Sequence, residues 1–133
     1  MDTSSRLEMP LFALRLGVFI VMLMWTLDKF VDPAHAGAVF ERFYGVAGLG
    51  EAAFLLVGAL ELALVGAFLL GVKKTLTYGG VLALHAVSTL SSWPQYLGFD
   101  NLLFFAAWPM LAACYALFAL RDLDTRFTIA KLA

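Results

Sequence analysis

The chain has 133 residues, 62% of them hydrophobic and only 14% charged, with a mean hydropathy of +0.88 and a net charge of −1. A water-soluble domain carries roughly 45–50% apolar and about 25% charged residues, so the surplus excludes an ordinary soluble enzyme and places most of the chain in lipid. The near-neutral charge excludes a nucleic-acid partner, and the single cysteine, Cys114, excludes paired-cysteine redox chemistry.

Residues 1–9 are polar and short. A first apolar segment covers residues 10–31, with Arg15 near its start and Asp28 and Lys29 near its end. The run Ala34-His35-Ala36 has the small-x-small look of a leader cleavage site. The charged pair before it opposes that reading, so residues 10–31 are taken as a retained first membrane helix. Residues 32–45 connect onward, and their Ala-Gly-Ala-Val-Phe-Glu-Arg-Phe-Tyr run predicts a short amphipathic helix lying in the interface.

The second segment, residues 48–72, is long enough as a helix to cross a hydrocarbon core of ~30 Å, yet it carries Glu51 and Glu61. A charged side chain at such depth costs roughly 2.5–3.5 kcal/mol on insertion scales, so each needs a partner or a hydrated recess. On a helical wheel Glu51, Gly58 and Glu61 share a sector about 80° wide, which must face the rest of the protein. Lys73-Lys74-Thr75 makes a tight basic turn, predicting antiparallel neighbours on either side. The third segment, residues 76–97, holds His85 and a polar patch of Ser88, Thr89, Ser91, Ser92 and Gln95, with Pro94 expected to loosen its last turn. Gly98-Phe99-Asp100 turns the chain again, with Asp100 or Asn101 as cap. The fourth segment, residues 102–120, has no charge, and residues 121–133 form a polar tail of mixed charge.

The predicted fold is therefore all-α: a single integral-membrane domain spanning residues 1–133, with four transmembrane helices in an up-down antiparallel bundle. Both termini then share one side with Arg6, Lys73, Lys74, Arg121, Arg126 and Lys131, against Lys29 and Arg42 on the other. By the positive-inside rule that side is the cytoplasm, as in a multi-pass protein of a bacterial-type inner membrane.

Depth follows from a rise of ~1.5 Å per residue. Asp28, Lys29, Glu51, Ser92 and Gln95 fall in the outer third of the membrane, with Glu61 and His85 deeper. Arg15, Met22 and Lys29 recur at seven-residue spacing and form one stripe on the first helix. His85, Ser88, Ser92 and Gln95 form a stripe on the third. Three helices thus present a polar seam made of Asp28, Lys29, Glu51, Glu61, His85, Ser88, Ser92 and Gln95. Within it the expected contacts are a Lys29–Glu51 ion pair and a Glu61–His85 hydrogen bond that can pass protons. Arg15 stands alone near the cytoplasmic face, its long side chain snorkelling to the headgroups. The competing reading is that these groups only lock helix packing. Met22, Met24, Trp25, Trp93 and Trp108 are expected as packing or interface residues. No metal-ligand spacing, phosphate loop or nucleophile motif occurs.

Several short pieces are similar to the DoxX family of small four-helix membrane proteins. They are Arg15-Leu16-Gly17 opening the first helix, Trp25-Thr26-Leu27-Asp28-Lys29-Phe30 closing it, Pro33, and the stretch from Glu61-Leu62-Ala63-Leu64-Val65-Gly66 through Leu69-Leu70-Gly71-Val72. The resemblance covers the first two helices; the last two match in length and polarity only. It implies association with membrane redox systems and marks Arg15, Lys29 and Glu61 as recurrent positions, without implying that they are catalytic. The missing cysteine pair removes the dithiol transfer of related redox members.

Three functions remain open on these grounds. The first is a non-catalytic accessory subunit of a larger membrane redox or respiratory complex, docked through the fourth helix, where Ala106, Ala107, Ala112, Ala113 and Ala116 permit close approach. The second is a quinone-linked oxidoreductase subunit whose seam holds a quinone headgroup, with Glu61 and His85 as proton donors. The third is a small transporter or channel using the same seam.

Overall fold

A computed structural model describes residues 2–133, and it is all-helical. Helix α1 runs Thr3–Val31, starting a full two turns before the expected residue 10. Asp2 explains the early start: its carboxylate accepts the Ser5 backbone N–H at 2.9 Å, satisfying one of the donors that a helix N-terminus leaves free. Pro10 is accommodated inside the helix. The buried stripe of α1 is Leu11, Arg15, Val18, Met22, Thr26 and Lys29, which contains the predicted seven-residue series.

Asp32 ends α1 and caps the next helix, α2 (Pro33–Val39), by accepting the His35 backbone N–H at 3.1 Å, with Pro33 in the first position where its missing N–H costs nothing. A wide π-type turn follows over Phe40–Tyr44 and is closed by Gly45 in the left-handed region, φ 67°. A short helix is thus present in this connection as α2 and its turn, with Glu41 and Arg42 exposed and Ala36 buried.

Helix α3 spans Glu51–Leu69 and α4 spans Lys74–Ser91. The turn between them uses Gly71 at φ 70° and Lys73 at φ 46°. Past Ser91 the chain tightens into a 3-10 turn, Trp93–Tyr96, because Pro94 cannot continue the α-helical ladder. A second 3-10 stretch, Leu102–Ala106, leads into α5, Ala107–Ala119. Three stretches, Thr3–Val31, Glu51–Leu69 and Leu102–Ala119, are long and apolar enough to cross a membrane. Helix α4 is 18 residues long and falls outside that set, since Lys74, two threonines before Tyr78, and His85 lower its hydropathy.

The closest packing is α1 on α3 and α4 on α5, with α3 on α4 and α1 on α5 completing the contacts. The apolar core is Leu11, Val18, Met22, Val65, Phe68, Tyr78, Val81, Cys114 and Leu117. It occupies the half of the molecule around Arg15 and does not continue past Met22 along α1. Large apolar side chains cover the outside: Leu56 is 62% exposed, Leu60 65% and Leu103 90%. A protein surface in water rarely presents so continuous an apolar coat, and lipid removes the cost.

Candidate functional site

Two buried polar clusters sit on the stripe of α1, about four helical turns apart. At the first, the Arg15 guanidinium donates from Nη1 to the Asp124 carboxylate and from Nη2 to the backbone carbonyl of Arg126. Tyr78 donates its hydroxyl to the other Asp124 oxygen at 2.7 Å, and Lys74 Nζ donates to the Asp124 backbone carbonyl at 2.7 Å. The expectation that Arg15 stands alone and snorkels is therefore corrected: its side chain is fully buried. The reason is the tail. Residues 121–133 fold back over this end, with Ile129 N–H donating to Leu70 at 2.8 Å and Lys73 N–H donating to Leu132 at 2.6 Å. Thr128 lies so close over Gly71 that a Cβ there would sit 2.7 Å from it. Among the described residues Arg15 Nε is buried with no hydrogen-bond partner.

At the second cluster Lys29 Nζ lies 3.2 Å from Glu61 Oε2 and 3.3 Å from Oε1, and also donates to the Trp25 carbonyl at 3.3 Å. The Thr26 hydroxyl is 2.8 Å from Glu61 Oε1 and 2.7 Å from the Met22 carbonyl, so its one proton serves one of them. The ion pair expected between Lys29 and Glu51 is formed with Glu61 instead. Two physical effects shift it. Helix side chains lean toward the helix N-terminus, which carries the ammonium back down over Trp25. In addition, α2 packs against both α1 and the start of α3. The first turns of α3 pack on α2 and the turn after it, where Phe54 lies beside Gly37 and meets the Phe40 ring at 5.1 Å between centroids, and one turn further on Gly58 meets Phe30 and Lys29 of α1. A Cβ on Gly58 would sit 2.9 Å from the Phe30 ring, so glycine is what allows the two helices to meet at this level. Glu51 is left exposed in the first turn of α3, lining a shallow recess with Val31, Asp32 and Pro33.

The expected Glu61–His85 bond is also absent. His85 Nε2 is 2.9 Å from the Ala107 carbonyl of α5 and 3.2 Å from Thr89 Oγ1. A carbonyl can only accept, which assigns the proton to Nε2. The close pairing of α4 with α5 turns His85 that way. Asp28 leaves the seam as well, bonding His35 Nδ1 at 2.7 Å beside Trp25. Gln95 accepts from Asn101 at 2.9 Å in the turn between α4 and α5.

What joins the remaining groups is a cavity of about 880 Å³ between α1, α4 and α5, with α3 contributing Val57 and Glu61. Lys29, Glu61, His85, Ser88 and Ser92 line its polar end, five of the eight predicted seam residues. Apolar residues of α1, from Ala13 to Val21, face Pro109, Met110 and Ala113 along the rest. Ala106, Ala107 and Ala113 thus border the cavity. Sequence reasoning missed Thr26 beside the ion pair and Tyr44 and Tyr96 on the cavity wall, and left Thr89 off the seam although it lay in the polar patch. A threonine one turn before Lys29 on the buried stripe was the available signal for Thr26. Tyr44 and Tyr96 come from turns whose path no helical periodicity gives. Among the described residues no three His, Cys, Asp or Glu side chains converge as a metal site requires.

Fold and site together define an all-helical protein coated with apolar side chains, holding an ion pair at the edge of a large, mostly apolar cavity. Comparison with protein-family models, curated proteins and solved structures finds no match to the chain.

Proposed function

We propose that this chain is a DoxX-like integral membrane protein that crosses a bacterial-type inner membrane four times, through α1, α3, α4 and the stretch ending in α5. In this reading the helices alternate up and down, both termini are cytoplasmic, and the chain serves as a non-catalytic subunit docked on a larger membrane redox or respiratory complex. The observation that carries it is the outward stripe of α5. Trp108, Ala112, Tyr115 and Ala119 are all exposed at helical spacing, with Tyr115 64% exposed, and they form a flat strip of aromatic and small residues. Mild-detergent purification from native membranes should bring a partner at fixed stoichiometry, and Ala112→Leu with Tyr115→Ala should release it. A chain that purifies alone, or a partner retained by that variant, would reject docking through α5.

A second reading is favoured by the cavity. Its size is that of a site for a small organic ligand, and Lys29, Glu61 and His85 gather at one end as hydrogen-bonding groups for a quinone headgroup. As a quinone-linked subunit the protein would use Glu61 as proton donor. Glu61→Gln should then abolish quinol turnover by the native membrane assembly, and unchanged turnover would remove the proton role.

A further inference from the structure

The polar end of the cavity contains one cation and one carboxylate facing each other, so the charges of Lys29 and Glu61 cancel. His85, with its proton on Nε2 and committed to Ala107, presents Nδ1 as an acceptor. Spare hydrogen-bonding capacity remains on several groups here. Lys29 donates to the Trp25 carbonyl and to Glu61 Oε1, and lies 3.2 Å from Glu61 Oε2. The Thr26 hydroxyl reaches Glu61 Oε1, while Oε2 has no hydroxyl or amide donor among the described residues and faces Lys29. The Ser88 hydroxyl has no partner among the described residues. The apolar remainder of the cavity follows α1 from Lys29 to Ala13, about 24 Å at the helical rise, which is most of the depth of a hydrocarbon core.

We propose that this cavity binds a neutral, hydroxyl-bearing lipid with a single apolar chain, its head at the Lys29–Glu61 pair and the His85 edge and its chain along α1. An alcohol head both donates and accepts, which matches an end where donors and acceptors are present together. A charged head would bring a net charge into a low-dielectric end that already balances, and an uncompensated charge at such depth is strongly disfavoured. The proposal rests on the ligand-holding reading of the cavity given above, but on none of its redox chemistry.

The test uses three probes that share one chain and differ only in head charge: oleyl alcohol, oleyl sulfate and oleylamine. Retention by the full-length protein is measured by native mass spectrometry at pH 7. The native protein should retain the alcohol over either charged probe, by on the order of a hundredfold. Glu61→Gln leaves Lys29 unanswered and should switch the preference to the sulfate. Lys29→Gln leaves Glu61 unanswered and should switch it to the amine. Opposite switches in two variants cannot arise from misfolding. Equal retention of all three probes, retention of none, or an unchanged order in both variants would overturn the proposal. Because the probes have no redox centre, alcohol binding without quinol turnover leaves the lipid site standing and removes the quinone reading. Quinone binding that the alcohol does not displace does the reverse.

Discussion

Arg15 and Lys29 are basic residues on one stripe of one helix, each answered by an acid, and their surroundings differ in kind. Both side chains of the Arg15–Asp124 pair are 0% exposed, and the acid comes from a tail that closes over the pair. The Lys29–Glu61 side chains are 9% and 14% exposed, and both border the cavity. The Arg15 end of the buried stripe is sealed by protein atoms, with the apolar core beside it. At the other end the core has stopped and the ion pair faces open space. The contrast teaches that two base–acid pairs on one helix face can differ chiefly in the room beside them, and the cavity beside Lys29–Glu61 is what the proposed ligand site requires.

The largest effect should come from breaking the sealed pair. Arg15→Met leaves Asp124 buried without its main partner and should cost about 3–5 kcal/mol, read as a lowered unfolding temperature in detergent. Adding Asp124→Leu should recover much of the loss; a double variant as unstable as the single one would mean that the unanswered Asp124 charge is not what costs the stability. Lys29→Met should cost less, about 1.5–3 kcal/mol, because Glu61 can turn to water or ligand in the cavity. If the two single variants lose equal stability, the sealed and open ends do not differ as described.

Gly58→Ala sharpens the comparison from the side of α3. Its Cβ would meet the Phe30 ring at 2.9 Å and Lys29 Cβ at 3.3 Å, so overpacking should cost about 1–3 kcal/mol and loosen the Lys29–Glu61 contact. Gly66→Ala, with nothing within 4 Å of the new Cβ, should be neutral or stabilising by up to ~1 kcal/mol through helix propensity. Similar unfolding temperatures for the two variants would refute the close approach at Gly58.

The smallest effect belongs to the exposed start of α1. The backbone N–H of Ser5, and then its hydroxyl, hold the Asp2 carboxyl below its ordinary value of 3.8. A lowered folded-state value means that the cap's contribution is fully present above pH 3.8 and fades as pH falls through the lowered value. Protection of the Ser5 amide, its exchange rate taken relative to the intrinsic rate at each pH, should therefore fall in acid, while Asp2→Asn, which keeps the acceptor without the charge, should show protection that stays flat across that window.

Much of the fold was legible one residue at a time. Hydropathy marked the long apolar stretches, and the seven-residue series on α1 fell on its buried face. Pro94 loosened the end of the third segment as expected, although α4 stops at Ser91 and not near residue 97, and a short helix lay where the composition of the first connection placed it. These depend on local chemistry and on periodicities that a chain carries with it. Which acid meets which base was a different matter. Counting depth from the ends of the segments matched Lys29 with Glu51, because it took the end of α1 and the start of α3 to lie at one level. The space taken by α2, the glycine contact at residue 58 and the backward lean of the lysine moved the match to Glu61, ten residues further on.

The tail carries the same lesson. Its composition marks residues 121–133 as polar and mixed in charge, and nothing local ties Asp124 to an arginine 109 positions earlier. Sequence by itself determined that this chain is helical, apolar on its outside and obliged to answer its buried charges. Only the tertiary structure decided the answers, since pairing depends on the relative height of whole helices and on where loops and tail find room. Those are distances between elements, and no single element contains them.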